Sequence, residues 1–159
     1  MTDAYHTFIS RKVSEGSDGG FTPVFMPSFL FDFQASMVEW AVRKGRAAIF
    51  ADTGLGKTAM QCEWARLVCE HSGGNVLILA PLCVAHQTVR EGEKFGVTVR
   101  YARSQSQVEP GITITNYEML EHFDPAYFSG IVLDESSILK SYSGATRNAI
   151  IETFGATPF

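Results

Sequence analysis

Short apolar runs alternate with segments of helical periodicity along most of this chain. That alternation limits the possible folds more than any other feature. "AAIFA" (47–51), "NVLILAP" (75–81), "VTVRYA" (97–102), "GITITN" (111–116) and "GIVLDE" (130–135) each read as a strand. Between them, "TAMQCEWARLVCEH" (58–71) and "CVAHQTVREGEKF" (83–95) read as helices, and "GATRNAIIETF" (144–154) reads as a final one. "YEMLEHF" (117–123) reads as a short helix. Strands that alternate with helices predict an α/β fold: a parallel sheet covered by helices on both faces. In the first helix after "AAIFA", Met60, Trp64, Leu67 and Val68 are the expected inner positions. Upstream, "ASMVEWAVRKG" (35–45) carries Met37, Val38, Ala41 and Val42 at helical spacing, with Gly45 suited to the C-terminal cap. Pro23 and Pro27 argue against a helix in "FTPVFMPSFLFDFQ" (21–34), whose five phenylalanines need something to pack on.

The loop after "AAIFA" carries the first chemical signal. "ADTGLGKT" (51–58) joins a strand to a helix, the context a phosphate-binding loop needs. A helix N-terminus offers unpaired N–H groups and the positive end of its dipole. Gly54 and Gly56 let the backbone of Thr53, Gly54, Leu55 and Gly56 curl so that successive amides point at one anion. Lys57 can reach the β- and γ-phosphates, and the Thr58 hydroxyl can ligand Mg²⁺. The loop departs from the general phosphate-loop pattern in one place: Ala51 stands where glycine is usual. A plain glycine turn with an exposed lysine is the bland alternative.

A second element sharpens that choice. "IVLDES" puts Asp134 and Glu135 at the carboxyl end of a later strand, and ligands of doubly wound sheets sit at carboxyl ends. Asp134 could hold Mg²⁺ through water, and Glu135 could orient or deprotonate the attacking water. Alone, "DES" would also serve as an acidic helix cap.

With both elements in hand, the chain resembles the N-terminal RecA-like lobe of superfamily 2 helicases and translocases. Their first motif is A-x-x-G-x-G-K-T, and "ADTGLGKT" matches every fixed position, Ala51 included. Their second is a D-E-x-x box, matched by Asp134 and Glu135, with Ser136 and Ser137 departing from the commonest subgroups. Lys140 in "DESSILKS" looks like the corresponding lysine of Swi/Snf-type DNA translocases, from a phage or a bacterium. Gln34 in "FDFQ" resembles the Q-motif glutamine, whose amide matches the donor and acceptor of adenine, with Phe29 or Phe31 available to stack on the base. "LAPLCVAHQ" and "ITITNYEML" resemble the stretches that line the nucleic-acid groove, carried over here to Pro81, Leu82, Thr115 and Asn116. The resemblance covers residues 30 to 159 and implies ATP and Mg²⁺ as ligands, double-stranded DNA as partner, and hydrolysis coupled to movement on DNA. A small-molecule phosphotransferase and a non-catalytic nucleotide-binding module remain as alternatives.

The resemblance also implies what the 159 residues lack. In RecA-like sheets the strand leading to motif III lies between the motif I and motif II strands. The "ATP" in "FGATPF" (154–159) follows no apolar strand and is not that motif. The expectation is a lobe truncated before motif III, without the arginine finger of a second RecA-like lobe, and slow or inactive alone. The gap between "AAIFA" and "GIVLDE" would close by direct pairing, by the N-terminal arm, or by strand exchange into a homo-oligomer. Strand exchange is the expected outcome.

Composition bounds the rest. Apolar residues are 45% and charged residues 19%, which suits one globular domain over 21–159 behind a polar arm, 1–20, ending in "SEGSDGG". A net charge of -4 excludes a basic nucleic-acid coat protein but not phosphate binding through amides and hydroxyls. No apolar run reaches membrane-spanning length, and the N-terminus does not read as a secretory signal. Cys62, Cys69 and Cys83 have no metal-like spacing and read as buried, reduced thiols of a cytoplasmic protein; the resemblance implies a bacterial or phage-infected cell.

Overall fold

The computed structural model describes residues 19–135 and 144–159. The N-terminal arm to residue 18, together with Ser136, Ser137 and Lys140, lies outside the described residues. The described elements are α1 (Asp32–Lys44), α2 (Lys57–Ser72), β1 (Asn75–Ala80), α3 (Leu82–Lys94), β2 (Val99–Tyr101), β3 (Ile112–Asn116), β4 (Phe128–Leu133) and α4 (Gly144–Phe154). Short 3₁₀ turns cover Gln105–Gln107, Tyr117–His122 and Pro125–Tyr127.

All pairings are parallel, in the order β2-β3-β1-β4. β1 is central, and its alternation splits the core in two. Val76, Ile78 and Ala80 face Cys62, Ala65 and Val68 of α2 and Ala85 of α3. Leu77 and Leu79 face Tyr117, Leu120, Phe123 and Phe154 on the other side. Each large aliphatic side chain so buried contributes about 1.5–3 kcal/mol. A third cluster joins α1 to α2 through Val38, Val42, Met60 and Leu67. Helices therefore cover both faces, as the strand–helix alternation predicts. α1 begins earlier than its apolar periodicity suggests, and Gly45 ends it at φ 74, its N–H donating to the Ala41 and Val42 carbonyls.

One expectation about the sheet is corrected. Residues 47–51 form no strand, and among the described residues they make no backbone ladder bond. Apolar composition makes a strand only where a neighbour supplies partners. The position beyond β4 is held by one residue: the Phe159 N–H donates to the Ser129 carbonyl (3.1 Å) and the Ile131 N–H donates to the Phe159 carbonyl (3.1 Å). That is a single parallel rung, and it does not reach residues 47–51. Direct pairing of "AAIFA" with "GIVLDE" is thus absent, and Phe50 stands 94% exposed. β2 is the other shortened strand, because it pairs only with Ile112, Thr113 and Ile114 of β3.

The cysteines also differ from one another. Cys62 is buried, Cys69 half-buried and Cys83 exposed, so uniform burial is wrong. Burial, followed by the charge of Glu91, pushes the Cys62 thiol up to about 12, and burial pushes Cys69 up to about 11. Both folded values lie above the ordinary thiol value. Any stability they confer is complete below the unfolded pKa near 9 and is lost as pH rises through the folded values. At pH 8, brief iodoacetamide treatment is expected to label the native chain once, at Cys83. Peptide mapping that found Cys62 modified first would contradict this packing.

Candidate functional site

An open groove of about 750 Å³ runs beside β4, between residues 47–52 and residues 131–135. Lys57, Gln61, Asp134 and Glu135 line one part of it, and Phe50 and Phe159 line another. Of the phosphate-loop residues singled out from the sequence, Lys57 lines this crevice together with Asp134 and Glu135, while Thr53–Gly56 and Thr58 are not among its lining residues; β4 ends at Leu133 and leaves both carboxylates in the following turn.

The loop has the backbone its glycines permit. Gly54 has φ 83 and Gly56 has φ 75, both left-handed. Gly56 caps α2, which has no acidic residue in its first turn. The N–H groups at the start of α2 have no intrahelical acceptor and their dipole is not offset locally, so the loop suits an anion. Thr53, Gly54 and Leu55 are exposed, and Thr58 is half-buried at the helix start. The Lys57 ammonium lies back over the loop, donating to the carbonyls of Ala51 (2.9 Å) and Asp52 (3.4 Å). Both bonds are to neutral acceptors at an accessible site, so a phosphate can replace them.

Gln34 is buried and tied to this loop rather than free. Its Oε1 accepts from the Phe31 N–H (3.0 Å), and its Nε2 donates to the Leu55 carbonyl (2.9 Å). One amide hydrogen and one lone pair remain for a base edge. Of the two stacking candidates, Phe29 is stacked on Phe95, with centroids 5.1 Å apart, whereas Phe31 is exposed beside Phe33. The Gln34 contact also separates the two glycines. A Cβ on Gly56 would sit 2.2 Å from Gln34 Nε2, while a Cβ on Gly54 would meet nothing within 4 Å. Each alanine substitution should cost about 1–2 kcal/mol for the left-handed backbone. Gly56→Ala should cost more, because it also displaces Gln34. Urea unfolding of the two variants checks this, and equal losses would contradict the Gln34 contact.

Asp134 is held at three points. Its N–H donates to the Leu79 carbonyl (2.8 Å), its carbonyl accepts from the Tyr117 hydroxyl (2.7 Å), and its Oδ2 accepts from Gln61 Nε2 (3.2 Å). Glu135 follows with φ 51. Among the described residues no group of three or more His, Cys, Asp or Glu forms a ready metal cage. The Thr58 hydroxyl and the Asp134 carboxylate are oxygen donors, the type a hard cation takes.

The four nucleic-acid candidates lie together at the carboxyl ends of β1 and β3, but not alike. Leu82 is exposed and Pro81 half-buried. Thr115 and Asn116 are buried, because β3 is an interior strand and the turn Tyr117–His122 follows it directly. Among the described residues the Thr115 hydroxyl has no hydrogen-bond partner, and Asn116 is engaged by the Tyr101 hydroxyl (2.9 Å) and by Glu118. Direct side-chain contact from Thr115 or Asn116 is therefore not available in this conformation.

Sequence reasoning missed Gln61, Tyr117 and Arg46. Gln61 lies one turn after Thr58 on the same helix, a spacing that could have marked it. Tyr117 adjoins Asn116 but carries no signal that it reaches Asp134. Arg46 lines the groove and donates to the carbonyls of Gly155 (2.8 Å) and Thr157 (2.6 Å), across 109 and 111 residues.

No protein-family profile and no curated protein matches the chain. Among solved structures, the crystal structure of the UvsW helicase from bacteriophage T4 is similar, with a TM-score of 0.70 at 15% sequence identity. The match covers 81% of this chain and 50% of that one, so the chain spans about half the length of that helicase structure. The likeness is one of fold: a four-stranded parallel sheet flanked by helices, in the manner of a RecA-like helicase domain. Among the described residues no helix is long and apolar enough to cross a membrane.

Proposed function

We propose that the chain is the ATP-binding, N-terminal lobe of a nucleic-acid-dependent ATPase, a DNA helicase or translocase. The observation that carries this reading is the facing pair: a left-handed glycine loop at the N-terminus of α2, and Asp134 across the same groove, bridged to α2 by Gln61 at 3.2 Å. Lys57 and the loop amides of residues 53–56 hold the nucleotide phosphates, and Thr58 and Asp134 hold Mg²⁺. Glu135 orients the attacking water and accepts its proton. Gln34 reads the adenine edge with its remaining donor and acceptor, and Phe31 covers the ring. The bound nucleotide supplies the phosphoanhydride whose hydrolysis would drive the movement.

The same reading places double-stranded DNA along the edge formed by Pro81 and Leu82, with Thr115 and Asn116 supporting that edge from beneath. It takes the domain to be 21–159 behind an arm of 1–20, working against a second RecA-like lobe, in the cytoplasm of a bacterium or a phage-infected cell. Within it, Swi/Snf-type translocases are the proposed branch, resting on the sequence of the acidic box. The open position beside β4 supports filling by an added strand, with exchange between copies as the proposed route. The open groove also favours a second reading, a nucleotide-binding module without turnover. A phosphotransferase is less favoured, because among the described residues the cations lining the groove are Lys57 and Arg46 alone, not the arginine cluster of a lid.

Mg·ATP titrated into the chain and followed by calorimetry is expected to give saturable, one-site binding. No binding up to millimolar nucleotide would overturn the proposal.

A further inference from the structure

We infer that Tyr117 is a positioning residue, which through its hydroxyl bond to the Asp134 carbonyl fixes the turn that aims the Asp134 and Glu135 carboxylates into the groove. The inference deepens the proposed nucleotide site and rests on that reading.

The turn needs such a hold. Glu135 is the one non-glycine residue with positive φ among those described, at 51°. A left-handed glutamate is uphill and persists only where its surroundings impose it. β4 ends at Leu133, so the ladder fixes Asp134 only through its N–H to Leu79. The Asp134 carbonyl leads directly into the strained residue, and Tyr117 holds that carbonyl at 2.7 Å. Its ring is buried among Leu77, Leu79 and Leu120, so the hydroxyl is delivered from a fixed base. Gln61 completes the clamp from α2, the helix that also carries Lys57 and Thr58. The carboxylates are thereby referenced to the phosphate loop on one side and to the end of β3 on the other.

Tyr117→Phe removes one oxygen and leaves the ring packed, so the variant should fold. The test is the ATP affinity of the 159-residue chain with Mg²⁺ and with EDTA, measured by calorimetry. Wild type is expected to bind more tightly with Mg²⁺. Tyr117→Phe should keep the EDTA affinity and lose roughly threefold to tenfold with Mg²⁺, the range one hydrogen bond commands. Gln61→Leu, which removes the other anchor, should lower the Mg²⁺-to-EDTA ratio in the same direction. A merely structural Tyr117 would lower the melting temperature and leave that ratio unchanged, which would overturn the inference while the nucleotide site stood. A wild-type chain that bound no nucleotide would overturn both.

Discussion

The 159-residue chain is expected to bind ATP yet release phosphate no faster than background, with or without double-stranded DNA. The reason lies in the charge that the transition state must place on the transferring phosphoryl oxygens. Among the described residues that line the groove, the cations are Lys57 and Arg46. Arg46 bonds the carbonyls of Gly155 and Thr157, whereas Lys57 bonds those of the phosphate loop and is the cation at the loop itself. Losing an arginine that meets this charge costs ~10³ to 10⁵ in rate. The groove is also open, so water screens whatever dipoles the loop presents, and preorganised charge stabilisation is weakened. A coupled phosphate-release assay checks the expectation. Turnover on the order of 1 s⁻¹ by the chain alone, at the low end for enzymes, would mean the site is complete without a second lobe.

How far the sequence can be read here follows from where the signal is local. β1 is legible because "NVLIL" is apolar on both faces, as a covered parallel sheet demands, and β3 because "ITIT" is a run of β-branched residues. α2 and its loop are legible because glycine, lysine and threonine are each needed for a distinct local reason. Residues 47–51 are as apolar as β1 but form no strand, because pairing depends on a neighbour that composition cannot report. The same limit applies to the site. That Lys57 and Asp134 face one groove could be argued from strand ends, but the bonds of Asp134 to Tyr117 and Gln61 join residues 17 and 73 positions apart. Burial is likewise non-local: Thr115 and Asn116 sit in a motif-like stretch, and only the fold places them beneath the surface.

Lys57→Ala should abolish the stabilisation that nucleotide gives. At a nucleotide concentration one hundred times Kd, a ligand that binds only the folded chain adds about 2.7 kcal/mol. For a chain of this length that raises the melting temperature by roughly 5–10 °C. The lysine is the loop's one side-chain cation, and its ammonium already hovers over the loop at 2.9 Å from the Ala51 carbonyl. Its removal leaves the phosphates to be held by amides alone. The substitution also deletes two bonds to loop carbonyls, but these are neutral and accessible, so the unliganded melting temperature should change little. Each protein is therefore compared with itself, with and without Mg·ATP. The deciding measurement is differential scanning fluorimetry of wild type and Lys57→Ala over a Mg·ATP series. The expected result is a saturable rise for wild type and none for the variant; equal rises in both would contradict a phosphate site at this loop.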